Sequence, residues 1–142
     1  MRRLILLLTL IATPFAASSS ALIPGPVLAD YITAYDGDTF TARAWIWPRQ
    51  SVEAAIRVRG IDTPEIRGHC LEEKRAAAAA RDHAQRLLQA AIRIELLEII
   101  DDKYGGRVAA HVRIDGVDFA ELMLAAGHAR PYDGNVKHRW CP

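Results

Sequence analysis

The sequence predicts an α+β domain: a small closed β-barrel of the OB type, with one long helix after the third of five strands and a short helix after the fifth. Two patterns carry that expectation. Five short segments, rich in alternating or β-branched apolar residues, are bounded by Gly, Pro and Asp. Between the third and fourth, residues 72–91 place Ala77, Ala80, Ala84, Leu87, Leu88 and Ala91 at three- and four-residue steps, the period of a helix that buries one face.

Taken in order, the chain starts with Met1-Arg2-Arg3, an apolar run "LILLLTLIATPFA" and small residues "ASSSA". That is the charge, apolarity and exit pattern of an export leader, and the run is shorter than the roughly 20 residues of a spanning helix. An uncleaved anchor is the alternative. Cleavage positions follow Ala17, Ala21 and Ala29; a cut after Ala29 would remove half of the first strand, so residues 1–21 are expected to leave and 22–142 to form one domain, periplasmic or secreted. "IPGP" (23–26) links the two. "VLADYITAY" (27–35) and "TFTARAWIW" (39–47) flank an Asp-Gly turn and read as a hairpin. "AAIRVRGI" (54–61) is the third strand, ended by "DTPE". After the helix, "IRIELLEII" (92–100) and "RVAAHVRI" (107–114) are the last two strands, and Asp115-Gly116 is a tight turn. "DFAELMLAA" (118–126) is the short helix: Asp118 is placed to cap it, Glu121 holds the capping-box position and Gly127 ends it. The tail from Arg130 is loop-like.

With 142 residues, 51% hydrophobic and 25% charged, the chain has the make-up of an ordinary globular domain with one modest core. Without Arg2 and Arg3, 16 basic residues face 17 acidic ones. A near-neutral domain is not one that coats nucleic acid through a basic surface, although a local site for an anionic substrate remains open. Two cysteines, Cys70 and Cys141, suggest a disulfide in an exported chain, closing a loop of about 70 residues worth roughly 3–4 kcal/mol. A zinc site from His69, Cys70, His138 and Cys141 is the alternative, although "HC" and "HRWC" match no established ligand spacing.

The acidic turn "YDGDTF" raises a chemical question. Asp36 and Asp38 lie two apart, so their charges repel unless a cation or a buried proton compensates. A hard cation such as Ca²⁺ wants several oxygen ligands; an Asx turn with one solvated acid is the plainer reading. "RGIDTPE" adds Asp62, the Thr63 carbonyl and Glu65 past a strand end, with Pro64 stiffening the backbone between them. Arg57, on the strand that delivers Asp62, is a natural phosphate fork. "DKYGGR" offers Lys103, Tyr104 and Arg107 around two glycines: either a solvated hairpin loop, or a second arginine for phosphate and an aromatic for stacking.

In this order, "YDGDTF", "IRVRGIDTPE", "DKYGGR" and a DG turn followed by "FAELMLAAGHARPY" resemble the staphylococcal-nuclease-like (thermonuclease) family over residues 27–133. The resemblance implies an OB-fold nuclease that needs Ca²⁺ and hydrolyses DNA and RNA with little sequence preference, leaving 3′-phosphates. It implies that Asp38 and Asp62 ligate Ca²⁺ with the Thr63 carbonyl, with Asp36 in reach through water or behind them. Glu65 becomes the general base, and Arg57 and Arg107 hold the scissile phosphate. Lys103, Tyr104 and Tyr132 line the nucleotide pocket. A monomer whose partner is its nucleic-acid substrate follows. The chain departs from the family pattern twice. Gly105-Gly106 stands where one glycine is usual, and the spacing from Arg107 to Asp115-Gly116 places the extra residue in the loop. The chain also ends soon after Tyr132, where a C-terminal helix is usual; a Cys70–Cys141 bridge can stand in for it. The competing function is a non-catalytic OB-type module that binds nucleic acid or protein. The intact set of Glu65, Arg57, Arg107 and three acids argues against that loss.

Overall fold

The computed structural model describes residues 21–137 and 139–142. The leader expectation therefore lies outside the described residues, Ala21 apart. The main strands are β1 (Val27–Ala34), β2 (Thr39–Trp47), β3 (Gln50–Val58), β5 (Ile94–Asp101) and β6 (Arg107–Ile114). Short pairings add β4 (Ile61–Asp62), β7 (Val117–Asp118) and β8 (Arg130–Pro131); the helices are α1 (Leu71–Ala90) and α2 (Phe119–Ala125). The sheet runs β3-β2-β1-β5-β6, and β6 returns to β3 in parallel, Ala55 opposite Arg107 and Val58 opposite Ala110. That contact closes the five-stranded barrel the sequence predicts, and closure removes the sheet's exposed edges.

Alternation fills the barrel. Phe40, Ala42 and Ala44 of β2 point inward with Ile56 and Val58 of β3, Leu96 of β5 and Val112 of β6; Phe119 and Met123 of α2 join the same core. Helix α1 closes on it through Ala80, Ala84 and Leu88. Truncating Leu88 to Ala would cost about 2–5 kcal/mol, the range for a buried leucine. Three of α1's buried residues, Ala77, Ala80 and Ala84, are alanines, and this smallness lets the acidic turn come close to the helix at Ala80.

Several boundaries move for physical reasons. Strand β3 begins at Gln50 rather than at residue 54: Arg49 takes a positive φ of 68° in the β2–β3 turn, and Ser51, Val52 and Glu53 pair with Trp45, Ala44 and Arg43. It ends at Val58, because Gly60 (φ 87°) redirects the chain and Ile61–Asp62 pairs instead with β8. The expected loop-like tail therefore starts as a strand partner. Strand β5 starts at Ile94: the Ile92 and Arg93 N–H groups donate to the Asp115 carboxylate. Helix α1 lies one residue earlier than expected, with the Cys70 sulfur as its N-cap acceptor. Asp118 caps α2 by accepting from Ala120 and Glu121 N–H, and Gly127 ends it at φ 73°.

Candidate active site

The turn between β1 and β2 positions the first two acids. Tyr35 and Asp36 N–H donate to the Thr39 carbonyl at 2.9 and 3.3 Å, and the Asp38 N–H donates to Asp36 Oδ1 at 3.1 Å. This is an Asx-type turn, but both carboxylates are buried, at 6% and 5% exposure, which solvated turn chemistry does not require. Gly37 explains the burial. A Cβ there would lie 2.8 Å from Thr63 Cγ2 and 2.9 Å from Ala80 Cβ, so only glycine lets the turn seat against "DTPE" and α1.

Three segments converge on Asp38. Its Oδ1 accepts from Thr39 Oγ1 at 3.0 Å; its Oδ2 accepts from Thr63 N–H at 2.9 Å and faces Arg57 Nη1 at 3.1 Å. Asp62, delivered by β4, is 1% exposed. Trp140 Nε1 donates to its Oδ2 at 3.1 Å. Its Oδ1 accepts no hydrogen bond among the described residues; the nearest cations there are Lys137 Nζ at 3.4 Å and Arg57 Nη2 at 3.8 Å. Thr63 Oγ1 is likewise buried without a partner. A buried acceptor left unpaired costs about 1–3 kcal/mol.

The electrostatics follow from this crowding. Burial, then the Asp38 charge, pushes the Asp36 carboxyl up to about 7, against the opposing hydrogen bond from the Asp38 backbone. Burial also raises the Asp38 carboxyl, with the Arg57 guanidinium pulling the other way. Asp36, Asp38, Asp62 and Glu65 gather around two cations, Arg57 and Lys137. An excess of buried carboxylate, with one Asp62 oxygen held only by two longer ion pairs, suits a hard divalent cation that prefers oxygen ligands. The donor set therefore fits Ca²⁺.

Glu65 is half-exposed at the site's mouth. Its loop is gathered by Glu73, a buried residue in the first turn of α1, whose carboxylate accepts from Glu65 N–H at 3.4 Å and His69 N–H at 2.9 Å. Across from it, the "DKYGGR" loop closes through Asp102 N–H to the Arg107 carbonyl, at 3.1 Å. Gly105-Gly106 lies within that loop, so Arg107 opens β6 in register. Arg107 pairs with Asp102 and stacks on Tyr104, its guanidinium carbon 4.8 Å from the ring centre; Lys103 Nζ lies 5.3 Å from the same centre. A cleft of about 720 Å³ is lined by Asp36, Asp38, Arg57 and Glu65 together with Lys103, Tyr104, Arg107 and Tyr132. Asp62 and Thr63 lie beneath this lining rather than in it, at 1% and 2% exposure. Arg57 is less free than the sequence suggested: Nη1 also donates to the Val58 carbonyl at 2.8 Å, so the acids already engage the expected phosphate fork.

The family model for the staphylococcal nuclease homologue matches residues 55–140, more than half of the chain. The chain belongs to that family. A search of the curated proteins returns no match. In this nuclease homologue the C-terminal residues are tied back to α1. Cys70 and Cys141 form a disulfide across 71 residues. That overturns the zinc alternative: the sulfurs lie beside Glu73, but they are bonded to each other and offer no thiolate. His138, the fourth member of that alternative, is outside the described residues.

The bridge brings in residues that sequence reasoning missed. Arg130 stacks on Trp140 at 4.2 Å and donates to the Arg139 carbonyl at 3.0 Å. Trp140 orients Asp62, and Lys137 pairs with both Glu65 and Asp62. Burial works against the Lys137 ammonium, but the Glu65 hydrogen bond and the charges of Glu65, Asp62 and Asp38 outweigh it and raise its pKa. The one available signal was the cysteine pair: a Cys70–Cys141 bridge must carry residues 133–140 back beside "DTPE".

Proposed function

We propose that this family member is an exported, monomeric, Ca²⁺-dependent nuclease that cleaves DNA and RNA phosphodiesters without marked sequence preference and leaves 3′-phosphates. One observation carries the reading: the buried acids Asp36, Asp38 and Asp62 meet Arg57 at a cleft that Glu65 and Arg107 also line. Asp38, Asp62 and the Thr63 carbonyl would hold Ca²⁺, with Asp36 behind them, and the ion would offset the charge of the phosphate.

The chain's own groups do the rest. Glu65 takes the proton of the attacking water, a role worth typically 10²–10⁴-fold. Arg57 and Arg107 hold the phosphate oxygens and the charge that grows on them. Tyr104 and Tyr132, which line the cleft, would offer faces to base or sugar, and Lys103 adds charge to the cleft. Sequence is not read, because these groups address the backbone and the π-faces common to all bases. Export follows from the leader. Strand β1 supports a cut before Val27, because Val27, Leu28 and Ala29 pair with Leu96, Glu95 and Ile94 of β5.

The deciding experiment is hydrolysis of single-stranded DNA by the mature protein, with Ca²⁺ and with a chelator. The expected result is cleavage that stops on chelation. Cleavage that survives chelation would overturn the metal's role, and none with Ca²⁺ would overturn the enzyme in favour of a binding module.

A further inference from the structure

The C-terminal segment is fastened at both ends of the acidic cluster. At its start, β8 pairs with β4, Arg130 opposite Asp62 and Pro131 opposite Ile61. At its end, Cys141 is bonded to Cys70, the N-cap of α1, and Trp140 donates to the Asp62 carboxylate. Arg130 stacks on Trp140, so the two ends also grip each other. Between these anchors the strap turns at Asp133–Asn135, where Asn135 N–H donates to Asp133 Oδ1 at 3.0 Å. It then lays the Lys137 ammonium on Glu65 and 3.4 Å from Asp62 Oδ1. That oxygen is the one that accepts no hydrogen bond among the described residues. A tethered ammonium reaches such a position at high effective concentration, with little further ordering to pay for.

We infer that Lys137, held by the Cys70–Cys141 strap, is a built-in competitor for the divalent cation: it occupies the Asp62 and Glu65 carboxylates until the metal displaces it. The inference rests on the Ca²⁺ reading above. An ammonium and a divalent ion cannot both sit against Asp62 Oδ1 without strong like-charge repulsion. The metal's arrival therefore drives Lys137 off Asp62 and off Glu65. The proton acceptor is freed by the same event, so Glu65 is masked in the metal-free chain and unmasked in the loaded one. Lys137 lies on the cleft wall with Arg57 and Arg107, so its displaced charge stays where a substrate phosphate would be. Asp38 is held by Arg57 and the Thr63 N–H rather than by Lys137, and it acts on the ammonium only through its charge.

The test is calorimetric titration of Ca²⁺ into substrate-free protein: wild type, Lys137→Gln and Lys137→Arg. Removing one positive charge at this distance should tighten Ca²⁺ binding about tenfold or more, whereas Lys137→Arg should stay near wild type. A Cys70→Ser/Cys141→Ser variant, with the strap free, should also bind more tightly. If that variant does not fold, Lys137→Gln decides alone, since Lys137 is half-exposed and outside the core. Equal or weaker binding by Lys137→Gln overturns the inference and leaves the Ca²⁺ reading standing. Absence of Ca²⁺ binding in wild type and variants overturns both.

Discussion

Asp36 ties the stability of the metal-free protein to pH with a definite sign. Its carboxyl titrates at about 7 in the folded chain against an ordinary 3.8, because it is buried beside Asp38. A group whose folded pKa is raised favours the fold while it is protonated in both states. Its contribution is therefore whole below the unfolded value and lost as pH climbs from 3.8 through about 7. The difference corresponds to about 4 kcal/mol, at about 1.4 kcal/mol per tenfold change in proton affinity. For a domain of about 120 residues that is roughly 15 °C in melting temperature, at about 2.1 cal/mol/K of unfolding entropy per residue.

The perturbation is Asp36→Asn, which keeps a carbonyl oxygen to accept the Asp38 N–H and carries no charge at any pH. Calorimetric melting of both proteins with chelator present, from about pH 4 to about pH 8, reads the contribution of Asp36 together with its effect on the neighbouring Asp38. The two should melt alike at the acid end, and wild type should fall progressively below the variant toward neutrality. His83, whose pKa is lowered by burial and by His128, titrates in both proteins and cancels in the difference. Parallel curves would refute the claim that Asp36 is ionised at a cost. Saturating Ca²⁺ at neutral pH should then restore much of the wild-type deficit, since a cation that binds only the folded cluster stabilises it by mass action.

Glu65→Gln should lower hydrolysis about 10²–10⁴-fold, while melting changes by less than about 1 kcal/mol, because the carboxylate and its Lys137 partner are half-exposed. Comparable losses in both assays would make Glu65 structural. Gly37→Ala should destabilise by about 1–3 kcal/mol, because its Cβ meets Thr63 and Ala80 below 3 Å, and it should weaken Ca²⁺ binding as the turn lifts from Asp62; unchanged melting would show that the turn adapts. Reducing Cys70–Cys141 should cost about 4 kcal/mol in the chain-entropy account of a 71-residue loop. Identical melting with and without reductant would remove the bridge from the stability argument.

The barrel was legible where local chemistry decides. The Asp-Gly turn, the 3.6-residue period of α1 and the Asp118 cap each depend on neighbours in sequence, and each matches the fold to within a few residues. The boundaries that moved depend on contacts with distant segments. Gln50 to Glu53 are strand only because β2 lies alongside, and Ile61–Asp62 leaves β3 only because the tail supplies a partner. At the site, residue types and order were enough to nominate Asp36, Asp38, Asp62, Glu65, Arg57 and Arg107. Which oxygen of Asp62 lacks a partner, and which cation faces it, depends on Trp140 and Lys137, more than 70 residues away. No local period or turn rule reaches that far; only the pairing of two cysteines does.

That separation also decides what the tail's chemistry can do. The segment is polar, and its anchors are a disulfide, an indole N–H on a buried carboxylate and a stacked guanidinium. Such anchors fix direction more than they bury surface, because hydrogen bonds and bridges demand particular distances whereas apolar contact does not. A segment held by direction is suited to delivering one charged group to one place. The place it reaches is the acidic cluster, where an added positive charge does most to relieve repulsion among Asp36, Asp38, Asp62 and Glu65. The fold thus contains part of its own charge compensation, and under the proposed Ca²⁺ reading the ion has to compete for the site rather than simply fill it.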